Sequence, residues 1–157
     1  MIRPALLALG VVWLAGCRGS SDPSALPSPG DVVQLLSLGN RSNVAVTSDG
    51  ATDPRLRPHV YPLSPVQTAH VVVDAVEQIP RWEIIAGRDG VIWATRRTRV
   101  FRLVDDVYLL LLPAHDSTAV FARSASRGGL YDLGQNRRNL GELWMALDRR
   151  ARGAAGH

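Results

Sequence analysis

The stretch WEIIAGRDGVIWATRRTRVFRLVDDVYLLLLPAHDSTAVFARSAS, residues 82–126, decides the fold. Residues 82–86 partly alternate between apolar and polar. Arg88-Asp89-Gly90 then places Asp-Gly at the tip of a tight hairpin, because both central residues of such a turn take positive φ. Residues 91–95 form the returning strand. Residues 96–103 (RRTRVFRL) alternate again, with Arg97, Arg99, Phe101 and Leu103 on one face. Residues 107–112 (VYLLLL) are an apolar run of strand length. Residues 113–117 read as a loop and 119–126 as the last strand. Successive strands joined by short turns predict an antiparallel meander.

Helices flank this run. Ser64-Pro65-Val66-Gln67 has the residues of a helix start: Ser at the N-cap, Pro at the first position and Gln completing a capping box. Ala69, Val72, Val73 and Val76 follow as one apolar face, and Pro80 stops the helix. His70 falls off that stripe and faces solvent. A longer helix starts near Asp132, with Leu133, Asn136, Leu140, Leu143, Trp144 and Leu147 on one face and Arg138, Met145 and Arg149 opposite. His59-Val60-Tyr61-Pro62-Leu63 adds an edge strand. The expectation is an α+β domain, an antiparallel sheet of about four to five strands with two helices packed on one face.

The N-terminus carries a different signal. After Arg3, residues 4–16 (PALLALGVVWLAG) are apolar, about 20 Å as a helix and short of the ~30 Å hydrocarbon core, which fits a secretory leader better than a membrane span. The run ends in Leu14-Ala15-Gly16-Cys17, which looks like a bacterial lipobox. That resemblance implies cleavage before Cys17 and lipidation of its thiol, with small residues before the cut and a thiol after it. Arg18 in place of Asp points to the outer membrane if the organism is Gram-negative. The chain then divides into a lipoprotein signal peptide (1–16), a Ser/Pro-rich tether (17–39), one α+β domain (40–150) and a disordered tail (151–157). Residues 31–38 (DVVQLLSL) dock onto the domain or form one helical turn.

Composition limits the chemistry. The 157 residues carry a net charge of +4, and all 18 basic residues are Arg. They are scattered, with no run of five like charges, so nucleic acid is not an expected partner. Cys17 is the one cysteine, and His59, His70, His115 and His157 lie far apart, so neither a disulfide nor a metal site is expected. No cofactor fingerprint is present.

The densest polar pattern is residues 123–137. Strand alternation puts Arg123 and Arg127 on one face and Ser124 and Ser126 on the other. Asp105 and Asp106 point one to each face of their strand. Asp132, with Gln135, can cap the final helix, and Asn136 and Arg137 follow. Two readings stay open for this cluster. Arg123 or Arg127 pairs with Asp105, Asp106 or Asp132 and pins a corner of the fold, or the arginines and the helix start form an anion site.

Phe101-Arg102-Leu103-Val104-Asp105-Asp106-Val107, Arg123-Ser124-Ala125-Ser126-Arg127-Gly128-Gly129 and Asp132-Leu133-Gly134-Gln135-Asn136-Arg137 resemble the domain of unknown function 1499 family over about residues 42–148. That family often has P-N-C-V near the domain start, and Ser42-Asn43-Val44-Ala45-Val46 lacks its Pro and Cys. The resemblance implies bacterial and plastid membership, often as lipoproteins, and no established activity. The residues themselves favour a membrane-anchored envelope protein with a non-enzymatic scaffold or interaction domain. One alternative is a lipid or hydrophobic small molecule bound between sheet and C-terminal helix, near Trp82, Trp93, Phe101, Tyr108, Phe121 and Trp144. An enzyme of unknown reaction is another. His115, Asp116 and Ser117 sit in one loop and cannot converge as a triad does.

Overall fold

A computed structural model describes residues 22–99, 102–128 and 132–154. The leader 1–16, Cys17, Phe101, Gly129 and residues 155–157 lie outside the described residues. The meander is present: β3 (Trp82–Arg88), β4 (Val91–Arg97), β5 (Val104–Ala114) and β6 (Ser117–Ser126) pair in order, all antiparallel. Two short strands, β1 (Val44–Val46) and β2 (His59–Tyr61), both pair with the free edge of β6. The sheet therefore has six strands.

Asp89 and Gly90 turn the β3–β4 hairpin with φ of 54° and 79°, as the Asp-Gly dipeptide predicts. A Cβ on Gly90 would sit 3.0 Å from the Leu111 carbonyl oxygen, so this position needs glycine for space as well as for φ. The expected strand over 96–103 ends early. β4 stops at Arg97, and a loop follows in which the Thr98 amide donates to the Leu103 carbonyl and the Leu103 amide to Thr98 Oγ1. Arg102 takes φ of 52° there. The Thr98 hydroxyl offers the backbone a local alternative to the ladder, and Arg97, Arg99 and Leu103 are exposed, so among the described residues the alternation marks no buried face. In compensation β5 and β6 are longer than expected. Pro113 pairs with Thr118 across a turn at His115-Asp116, so no five-residue loop separates them.

Two helices pack on one face, as expected. α2 (Pro65–Glu77) has the complete Ser64–Gln67 capping box. Its buried face is Thr68, Val71, Val72, Ala75 and Val76, one residue out of phase with the expected stripe. Three consecutive valines, 71–73, cover most of the helix circumference, so apolar period alone could not set the phase. α3 (Gln135–Ala154) buries Asn136, Asn139, Leu140, Leu143, Trp144, Leu147 and Ala151. Leu133 precedes the helix and is 87% exposed, not part of its apolar face. The helix runs past residue 150 with Ala151 buried, so the expected tail begins inside it.

A third helix corrects the expected layout. α1 (Pro29–Ser37) lies within the stretch read as a tether and packs on the opposite face of the sheet. Ser28 and Asp31 form its capping box around Pro29, the same start signature as α2. Val32 is fully buried with Leu26 against Val91, Trp93 and Leu110. Burial of one such side chain contributes roughly 1.5–3 kcal/mol, enough to hold a nine-residue helix that would not persist alone in water. The sheet is thus the middle of three layers, with α1 on one side and α2 and α3 on the other.

Candidate functional site

The sheet divides the 123–137 pattern into two clusters. The side chains of Asp105, Ser124 and Ser126 point toward α3, and those of Asp106, Arg123 and Arg127 point toward the α1 side, as strand alternation requires. The cross-strand register sets Asp105 opposite Ser126 and Asp106 opposite Ala125.

On the α3 side the cluster is buried. Asp105, Ser124, Asn136 and Asn139 are each at most 1% exposed. Asp105 accepts from Ser126 Oγ at 2.5 Å and from Asn139 Nδ2 at 2.8 Å. Ser124 Oγ donates to Asn136 Oδ1 at 2.6 Å and accepts from Asn139 Nδ2 at 3.1 Å. Asn136 Nδ2 lies within hydrogen-bond reach of the Asn43 carbonyl, Ser126 Oγ and Asp132 Oδ2. Asp132 also caps α3, taking the Gly134 and Asn136 amides. Gln135, expected to share the cap, instead donates to Asn139 Oδ1 at 2.7 Å. The network ties strand β6, the loop at Asn43 and the start of α3 into one corner. The Ser124 hydroxyl donates to an amide oxygen, which cannot take its proton as a general base would.

On the α1 side Arg127 grips Asp106 in a two-point fork, Nε to Oδ2 and Nη2 to Oδ1, both at 2.7 Å. Trp93 Nε1 donates to the same Asp106 at 2.8 Å, and the Arg127 guanidinium lies 5.9 Å from the Trp93 ring centre. The Asp106 hydrogen bonds raise the Arg127 pKa above its ordinary value. Arg123, by contrast, has a buried Nε with no hydrogen-bond partner among the described residues, and burial pushes its pKa down. Of the pairings expected between Arg123 or Arg127 and Asp105, Asp106 or Asp132, the structure makes Arg127–Asp106. Arg137 points elsewhere, to Asp53 at 3.5 Å. Arg127→Ala is expected to cost about 2–3 kcal/mol, because it strips a partly buried carboxylate of its fork. Urea melts of Arg127→Ala, Asp106→Asn and the double variant measure it. An additive double variant would mean the fork contributes nothing.

These elements carry a family relation. Residues 32–147 match the family described as Protein of unknown function (DUF1499). The chain belongs to the DUF1499 family. The match begins inside α1, so most of this helix, which lies in the stretch read as a tether, falls within the DUF1499 unit. No curated protein matches the chain. Among solved structures it is similar to the crystal structure of TTHA0849 from Thermus thermophilus, at 12% identity and a TM-score of 0.36, covering 62% of this chain and 95% of that one.

This DUF1499 chain also holds a cluster that the sequence does not announce. The His59 ring stacks on Trp144, centres 4.4 Å apart and 11° from parallel. Asp148 Oδ1 accepts from Tyr61 Oη at 2.7 Å and lies 3.2 Å from His59 Nδ1. Burial, then Asp148, push the Tyr61 phenol far above its ordinary range, so it stays protonated and donates. The partners lie 87 and 89 positions apart in the chain. No local motif could have revealed them. The aromatics expected together along a cavity also separate. Trp82 and Trp144 belong to the core between the sheet and the α2–α3 pair, while Trp93, Tyr108 and Phe121 belong to the α1 side.

Proposed function

We propose that this chain is an exported lipoprotein, held to the membrane by lipid on Cys17, whose domain is a non-enzymatic docking module for a cell-envelope component. The Leu14-Ala15-Gly16-Cys17 box and the short apolar run before it support the anchor. Acyl chains on that thiol would hold strongly, at about 0.8 kcal/mol per buried methylene. No helix among the described residues is long and apolar enough to cross a membrane. Arg18 favours the outer membrane in a Gram-negative cell.

The observation that carries the docking reading is how the polar constellation is used. Asp105, Ser124, Ser126, Asp132 and Asn136 bond into one corner on the α3 side, and Arg127 and Asp106 satisfy each other on the opposite face. The alternative of a lipid between sheet and α3 has less support, because Leu140, Leu143, Trp144 and Leu147 fill that interface at 0–3% exposure. The order near the N-terminus adds a geometric limit. A 3-10 turn at Pro23–Ala25 and buried Leu26 leave five residue steps from Cys17 to Asp22. That is a reach of at most about 18 Å. The domain would sit close against the bilayer, and its partner would have to be found there.

Cys17→Ala should move the protein from the membrane fraction to the soluble one in detergent-free fractionation. Retention of the variant with membranes would refute the anchor. Cross-linking in membranes that recovers no protein neighbour would count against docking.

A further inference from the structure

Arg96 ends the alternation of β4 on the α3 side. It is 9% exposed, yet its Nε is buried with no hydrogen-bond partner among the described residues. The nearest carboxylate oxygen, Glu142 Oε2, stands 3.6 Å from that Nε and already accepts from Trp82 Nε1 at 3.1 Å. An arginine buried this far normally has its fork filled, because an unsatisfied buried donor costs about 1–3 kcal/mol and more when charged.

Arg96 is not sealed in. It lines a groove of about 520 Å³ along the flank of α3, together with Arg55, Arg138, Glu142 and Met145. Arg55 contributes little charge, since Asp53 takes its Nε and Nη2 at 3.0 and 2.9 Å. Its stem lies so close over Gly141 that a Cβ there would meet Arg55 Cδ at 3.0 Å, which makes this stem one wall. Arg138 has no ion-pair partner within 4.0 Å among the described residues and donates only to neutral oxygens of Leu133 and Gln135. Arg96 and Arg138 are thus two guanidinium charges against the single carboxylate of Glu142, an excess of one positive charge. Met145, 65% exposed, supplies an apolar edge.

We infer that this groove binds an oxyanion, a phosphate or carboxylate group, with Arg96 as its buried anchor and Arg138 as a second donor at the rim. Such oxyanions suit an arginine fork, and one such group balances the excess charge. The same group could arrive as a free anion or as the head of an amphiphile whose chain lies on Met145. The inference does not rest on the anchor or on docking, and Cys17→Ala should leave it intact.

The test is calorimetric titration of the full chain in a non-ionic maltoside detergent with inorganic phosphate, acetate, hexyl phosphate and hexanol. Saturable binding of an anion, with none for hexanol, is expected, weakened at least about ten-fold by Arg96→Gln. Phosphate or acetate binding as tightly as hexyl phosphate would assign a free anion; tighter binding of hexyl phosphate would assign an amphiphile head. Either supports the site. No binding of any anion, or binding unchanged in Arg96→Gln, would overturn it. Should that variant not fold, Arg138→Gln at the exposed rim decides, and unchanged affinity there overturns the proposal equally.

Discussion

Trp144→Ala is expected to destabilise the domain by about 3–5 kcal/mol, the largest effect of any single truncation considered. Trp144 is 3% exposed in the core between α3 and the sheet. Its indole Nε1 donates to the Arg55 carbonyl at 3.0 Å, and one face of the ring carries His59. Alanine would leave a large cavity, an unsatisfied carbonyl and an unsupported histidine at once. In a domain of this size the loss corresponds to a melting-temperature drop of roughly 10 °C or more. Thermal melts by circular dichroism measure it directly. An unchanged melting temperature would mean that α3 does not present this face to the sheet.

Asn136→Ala is expected to cost about 3–4 kcal/mol, although it removes few atoms. Asn136 is fully buried and touches four polar partners: Ser124 Oγ, Ser126 Oγ, the Asn43 carbonyl and Asp132 Oδ2. Each buried group that loses a partner costs about 1–3 kcal/mol, and the water that could replace the amide has little access. Asn136→Asp, which keeps the shape but turns the donor end into an acceptor beside Asp132, should also destabilise. Chemical denaturation of both variants gives the measurement. A cost below about 1 kcal/mol for Asn136→Ala would show that the corner is held by something other than this network.

The features legible from residue order are those set by local geometry. Asp89-Gly90 marks a hairpin because positive φ at two successive positions restricts residue type. Ser64, Pro65 and Gln67 mark the start of α2 for the same kind of reason. Alternation alone places Asp105 and Asp106 on opposite faces, and Ser124 opposite in sense to Arg123. Other features need long-range register. That Arg127 meets Asp106, and not Asp105 or Asp132, follows from the pairing of β5 with β6. The stacking of His59 on Trp144 joins β2 to α3 and has no sequence signature. α1 is a different case. Ser28-Pro29-Gly30-Asp31 carries a helix start as plain as that of α2, but the surrounding Ser and Pro read as a tether. Arg97 and Arg99 show the converse, an alternation that imitates a continuing strand while both side chains are exposed.

The two short strands beside β6 have a consequence for how copies of this chain behave together. β6 is ten residues long, and a bare edge of that length would be a template for strand addition from a neighbour. Val44–Val46 and His59–Tyr61 occupy it in two three-residue pieces, each too brief to offer the next molecule a continuous run of amides. With that side of the sheet closed, copies of this chain do not polymerise through it even at high concentration.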